Sequence, residues 1–208
     1  MLIEGYILAI LIGYLLGSLS FGAIVAKYKN IDIFTSGSGN PGATNVKRVI
    51  GHFWGNIVFV LDFFKGYLAV LIASLTIPLL LVDNPNYDPS LIDRFKVLTL
   101  FAAIIGHSFS IYIGFRGGKG VATTMGGLMF IMYKVLLVGL IVWIICFITS
   151  RIVSLSSIIF SLSLPISVSI IYPNSKIYFY LTVIISLMIV IRHYGNIKRM
   201  IFKKEHRF

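Results

Sequence analysis

Acidic side chains are scarce in this chain: seven Asp and Glu stand against 18 Lys and Arg in 208 residues, and charged residues of both signs make up only 12%. The carboxylates do not cluster, which argues against metal-assisted phosphoryl transfer, where grouped carboxylates hold the ions. Cysteine is scarcer still. Cys146 stands alone within an apolar run, so it forms no internal disulfide and reads as a small buried hydrophobe. The sequence also lacks an internal repeat, a low-complexity tract and a soluble second domain. It begins Met-Leu-Ile-Glu without a positive leader, and its first cations, Lys27 and Lys29, follow the first apolar run, which disfavours a cleaved signal peptide.

What is present is apolar surface and positive charge. Hydrophobic residues make up 58% of the chain, and the mean hydropathy is +0.95. Both values point to an all-α, polytopic membrane protein in which residues 1–208 form one domain. The net charge of +11 is scattered between apolar spans instead of gathered on a soluble module, so membrane topology explains it and a nucleic-acid partner does not.

About 20 apolar residues cross the roughly 30 Å hydrocarbon layer. Residues 5–26 form the first such run, with Gly13, Gly17 and Gly22 offering close helix packing. Further runs cover 52–82, 95–113, 121–150, 152–172 and 177–191. The run 121–150 is long for one span and short for two. Crossing once, it would leave the tail carrying Arg192, Lys198, Arg199, Lys203, Lys204 and Arg207 outside, against the positive-inside rule. A break at Met132-Tyr133-Lys134 restores parity, giving about seven spans with the N-terminus out and the C-terminus in. The loop 27–48, with four basic residues against Asp32, then lies in the cytoplasm, and the acidic loop 83–93 lies outside. The polar segments 36–48, 114–124, 151–157 and 192–205 all face the cytoplasm on this topology.

Two of these segments have the composition of anion sites. Ser36-Gly37-Ser38-Gly39-Asn40-Pro41-Gly42-Ala43-Thr44-Asn45 precedes Val46-Lys47-Arg48, and its glycines and proline predict a tight irregular loop. Backbone N–H groups, the hydroxyls of Ser38 and Thr44, the amides of Asn40 and Asn45, and the cations suit phosphate oxygens. The second, Gly114-Phe115-Arg116-Gly117-Gly118-Lys119-Gly120, is not a nucleotide P-loop, since Gly120 follows Lys119 and Ile113 occupies the first-glycine position. It reads as a glycine nest opening a helix, with Thr123 and Thr124 beside it. Asp62 and Lys65, at i and i+3 within a span, read as a structural ion pair. His107 reads as a packed, hydrogen-bonded histidine. Ser154, Ser156 and Ser157 read as helix N-capping residues, with Ser154 and Arg151 also able to reach an anion. His193 and Asn196 share a helix face.

Together these segments resemble the bacterial acyl-phosphate:glycerol-3-phosphate acyltransferases of the inner membrane, over most of the chain. The first motif is Ser38-Gly39-Asn40-Pro41-Gly42-Ala43-Thr44-Asn45 with Arg48. The second is Gly106-His107-Ser108-Phe109 running to Arg116-Gly117-Gly118-Lys119-Gly120-Val121-Ala122-Thr123. The third is His193-Tyr194-Gly195-Asn196-Ile197-Lys198-Arg199 with Glu205 beyond. Ser110 stands where the family often has Pro, and Lys203 where it often has Gly.

The resemblance implies transfer of a fatty acyl group from acyl phosphate to the 1-hydroxyl of glycerol 3-phosphate, giving lysophosphatidic acid and phosphate. The implied partners are these substrates, membrane lipid and the soluble enzyme that makes acyl phosphate, with no cofactor, metal or nucleic acid. The implied location is the bacterial cytoplasmic membrane. Ser38, His193 and Asn196 are expected to be catalytic, and Gly39, Asn40, Thr44, Asn45, Arg48, Arg116, Gly117, Gly118, Lys119, Gly120 and Ser154 to bind substrate phosphate. Ser38 is expected beside the acyl acceptor and leaving phosphate, without an acyl-enzyme. His193 either accepts the acceptor's proton or orients the acceptor while the acyl phosphate takes that proton. A rival from another class, an anion or phosphate-ester transporter, predicts a site on discontinuous helices open in turn to both membrane faces.

Overall fold

The computed structural model describes residues 2–83, 88 and 91–207, with α-helices and turns throughout and one isolated bridge between Ser110 and Arg116. The expected acidic loop 83–93 lies largely outside the described residues. Two compact units, Met1–Ile131 and Met132–Phe208, divide the chain.

In the first unit, α1 (Leu2–Ser18) and α2 (Phe21–Tyr28) together cover the expected span 5–26, with a break in the helix at residues 19–20. Breaking a helix in an apolar setting strands backbone carbonyls, which must find donors. Here Ser110 Oγ donates to Ser18 O at 2.6 Å and Lys65 Nζ donates to Leu19 O at 2.6 Å. The first polar loop is also more ordered than its glycines suggested, because α3 (Ala43–Val49) starts directly after Gly42. Next comes α4 (His52–Leu81), 30 residues that pack against α1, α2, α3, α5 (Ile92–Ser108) and α6 (Val121–Ile131). Asp62 and Lys65 form the expected pair within α4, 2.9 Å apart and almost fully buried.

Small residues set the helix spacing. A Cβ on Gly13 or Gly17 of α1 would strike the backbone of Thr99 or Ala103 in α5. Gly66 of α4 and Gly126 of α6 play the same part against Thr123 and Phe63 across the α4/α6 seam. Two apolar clusters fill the remaining space, one of Ala9, Ala73, Ile77, Leu81 and Phe95, the other of Val25, Ala26, Ile33, Val46 and Val58. α5 ends at Ser108, short of the expected 113, and a 3₁₀ turn covers Ile111–Ile113.

In the second unit, α7 (Tyr133–Ser150), α8 (Val153–Ile171) and α9 (Lys176–Arg192) pack in sequence, followed by α10 (Tyr194–Ile201). α6 ends at Ile131 and α7 begins at Tyr133, which matches the expected break. Gly139 gives Phe160 and Leu164 of α8 their place against α7. The serines opening α8 do not cap it. Ser156 and Ser157 instead bond back to the carbonyls of Ile152 and Val153, at 3.0 and 2.8 Å, a use open to hydroxyls inside an apolar helix.

Among the described residues, Leu2–Tyr28, His52–Leu81, Tyr133–Ser150 and Val153–Ile171 are long and apolar enough to cross a membrane. A fifth is added when α9 and α10, bent by 57° at His193, count as one span. α6, with 11 residues, is about 16 Å long at 1.5 Å per residue.

Candidate active site

The first loop is built around two amides. Gly37 and Gly39 take left-handed backbone, φ +60° and +68°, which carries the chain back past Asn45. Ser38 N–H donates to Asn45 Oδ1 at 2.9 Å, and Asn45 Nδ2 donates to Ser36 O at 3.0 Å. Asn40 Oδ1 accepts from Gly42 N–H at 2.9 Å, while its Nδ2 donates to Gly117 O at 3.3 Å. Backbone of the first loop therefore engages Asn45 and one end of Asn40, and the second loop takes the other end of Asn40, in amides that the sequence suggested as ligands for phosphate. Around them, Ser38 is exposed, with no partner for its hydroxyl among the described residues, and Gly39 is half-buried. Thr44 is half-buried in the first turn of α3 and Arg48 half-buried in its last turn, the helix end that favours a cation.

The second loop lies against the first through that Asn40 bond. Ser110 N–H donates to Arg116 O at 3.1 Å and Ser110 O accepts from Phe115 N–H at 2.8 Å, closing a turn through left-handed Gly114 and Phe115. A proline at 110 would lose both the N–H to Arg116 and the hydroxyl to Ser18, so the serine is a working part of this loop. Arg116 is exposed, its guanidinium 5.2 Å from the Phe34 ring centre. Gly117, Gly118 and Gly120 are buried and Lys119 is half-buried. Gly120, φ +84°, turns the chain into α6, and its carbonyl accepts from Thr124 N–H at 2.8 Å. His107 is packed as expected, 9% exposed, with Nδ1 3.6 Å from Asp62 Oδ1. A cavity of about 630 Å³, mostly apolar, lies beside α2 and is lined by Phe34, Tyr112 and Ile113 as well as Lys27 and Asp32.

In the second unit, His193 and Asn196 are both buried where α9 bends into α10. His193 Nδ1 lies 2.8 Å from Ile189 O. A carbonyl only accepts, so Nδ1 carries the proton, and in the neutral ring Nε2 is left as an acceptor. Asn196 Nδ2 donates to Glu205 Oε1 at 2.7 Å, Arg199 Nε donates to Glu205 Oε2 at 2.7 Å, and Ser154 Oγ donates to Glu205 Oε1 at 3.1 Å. Burial by itself would raise the Glu205 pKa. Bonds from Asn196 and Arg199, the Arg199 charge and the Ser154 hydroxyl outweigh that and hold it below the ordinary carboxylate value.

Glu205 is thus the residue that the sequence reading left without a role. The available signal was a single carboxylate among the cations of 192–207. Ser154, expected at an anion, is that carboxylate's partner. Lys203, φ +54°, holds the left-handed position at the end of α10 where glycine is easier. It keeps the geometry that delivers Glu205, since Lys204 N–H donates to Arg199 O at 2.7 Å.

Apolar helices joined by a cation-bearing glycine loop, with a buried His and Asn pair where α9 bends into α10, define an all-α integral membrane protein. A family model described as glycerol-3-phosphate acyltransferase matches residues 7–203, and the chain belongs to that family. It is 37% identical to a glycerol-3-phosphate acyltransferase of Aquifex aeolicus (strain VF5), with 96% of this chain and 97% of the relative covered. Two crystal structures of PlsY (YgiH), an integral membrane glycerol 3-phosphate acyltransferase, superpose on 98% of this chain and 95% of theirs at 35% identity. The glycerol 3-phosphate form gives a TM-score of 0.84 and the lysophosphatidic acid form 0.80.

Proposed function

We propose that this chain transfers a fatty acyl group from acyl phosphate to the 1-hydroxyl of glycerol 3-phosphate, releasing lysophosphatidic acid and phosphate at the cytoplasmic face of a bacterial inner membrane. The observation that carries this reading is the cationic glycine loop of residues 116–120, tied to the first motif through Asn40 and Gly117, in a chain of the glycerol-3-phosphate acyltransferase family. The acceptor hydroxyl oxygen attacks the acyl carbon, the bond from that carbon to the phosphate oxygen breaks, and phosphate leaves. Lys119, Arg48 and Arg116 supply charge to the phosphates, and Ser38 and Thr44 supply hydroxyls. The cavity beside Phe34 gives an acyl chain an apolar lining. The acceptor's proton passes to a phosphate oxygen of the donor, and His193, held in one tautomer by Ile189 O, orients the acceptor with Asn196.

The topology belongs to the same reading: seven crossings, N-out and C-in. α6 completes a crossing only when the loop before it is sunk into the membrane. The burial of Gly117, Gly118 and Gly120 supports that, because irregular backbone at such depth must be enclosed by protein.

Incubating purified protein in detergent with acyl phosphate and glycerol 3-phosphate should yield lysophosphatidic acid. Phosphate uptake into proteoliposomes without acyl transfer would establish the transporter instead. His193→Gln should retain a substantial part of turnover; a loss of about 10²-fold with glycerol 3-phosphate binding intact would make His193 the general base.

A further inference from the structure

The ion pair inside α4 does not stop at two residues. Lys65 Nζ is 2.9 Å from Asp62 Oδ1 and also donates to Leu19 O at 2.6 Å, so two groups fix the ammonium's position. His107 Nδ1, at the end of α5, approaches the same Asp62 oxygen at 3.6 Å. His107 in turn carries the second loop. Its carbonyl accepts from Gly118 N–H at 3.0 Å. Its ring fills the space that a Cβ on Gly118 would need, and a Cβ on Gly117 would strike its carbonyl. Gly117 O then accepts from Asn40. One path of contacts therefore runs from the α1/α2 break through Lys65, Asp62 and His107 to both glycine loops.

We propose that Asp62, Lys65 and His107 are positioning residues for the phosphate cradle. The buried pair fixes the imidazole, and the imidazole, pressed on Gly118, sets the direction in which residues 117–120 present Lys119. A purely structural role would not need this arrangement, since apolar residues often serve as well as a buried ion pair for stability. What the charges add is a directed hold on one ring, and a shift of about 1 Å at a site that positions substrate costs about a hundredfold in rate. The inference rests on the reading of 116–120 as the place where substrate phosphate binds.

The test uses the whole purified protein and inorganic phosphate as the probe, measuring its inhibition constant, the KM of each substrate, kcat and the thermal midpoint. His107 is varied because removing Asp62 alone strands Lys65. His107→Leu should weaken phosphate inhibition and raise the KM of one phosphate-bearing substrate about tenfold or more, with the thermal midpoint nearly unchanged. His107→Asn, whose amide N–H sits near the position of Nδ1 but which lacks the ring edge against Gly118, should recover part of that loss. Wild-type inhibition in His107→Leu overturns the proposal, and so does a His107→Asn as impaired as His107→Leu. If His107→Leu does not fold, the comparison of His107→Asn with His107→Ala decides by the same ratio. Lys119→Ala separates the two levels: unchanged phosphate inhibition there removes the cradle and the proposal with it. Weakened inhibition in Lys119→Ala beside wild-type inhibition in His107→Leu removes the positioning role alone.

Discussion

Glu205 shows how one carboxylate organises a basic tail. Its oxygens receive Ser154, Asn196 and Arg199, so a residue near the end of the chain holds the side chain of Asn196 in α10 and ties it to the start of α8. Its pKa is held below the ordinary value in the folded state. The stabilisation it gives is therefore complete above the unfolded-state carboxylate pKa and fades as pH falls through the lower folded value. Thermal midpoints measured across acidic pH should fall in the native protein and fall less in Glu205→Gln, which starts lower at neutral pH. A Glu205→Gln profile parallel to the native one would show the carboxylate to be unlinked to folding. The sequence pointed to Ser154 as an anion ligand and gave Glu205 no role, because a lone serine and a lone glutamate 51 residues apart carry no spacing signal. Asn45 has two uses for a related reason: an amide suited to a ligand is equally suited to clasping its own loop.

Among elements, helix ends were easy to read and helix interruptions were harder. The limits of α4, α8 and α9 fall within about two residues of the apolar runs, since a change from apolar to polar residues marks them. The break after Ile131 was reached by charge parity, not by any local breaker. The break at residues 19–20 gave no such sign, because Ser18, Leu19 and Ser20 are all tolerated in an apolar helix. It is explained only by partners distant in sequence, Lys65 and Ser110. Glycine spacing was legible, and Gly13 and Gly17 do face α5. Gly17→Ala would bring its methyl group against the Ala103 backbone, which cannot swing away as a side chain can. A loss of about 1–3 kcal/mol is expected, read as a lower thermal midpoint in detergent. An unchanged midpoint would mean that α1 and α5 have slack at this crossing.

For the whole molecule, the membrane class followed from composition, and the proposed orientation follows from where the cations lie. Its check is side-specific labelling in a Cys146→Ser background. A cysteine at Tyr133, 51% exposed at the start of α7, should react with an impermeant reagent added outside, and one at Lys204 should react only after the membrane is opened. Labelling of Lys204→Cys from outside would reverse the tail and take the cytoplasmic site with it. The three motifs were legible because each keeps its residues close together in sequence. The contact joining the first two, Asn40 to Gly117, and the one from Asp62 to the second motif's His107 span loops and helices that no local pattern links.

The Asp62 and Lys65 pair also bears on how the chain is made. Synthesis runs from the N-terminus, so α4 is complete before His107 exists and before α6 can cover its polar face. A single unpaired charge at the centre of an inserting helix costs about 2.5–3.5 kcal/mol on the translocon scale. With acid and base one turn apart on the same helix, α4 carries its own counterion into the lipid. It can be released from the insertion machinery alone and acquire its third partner later, when α5 arrives.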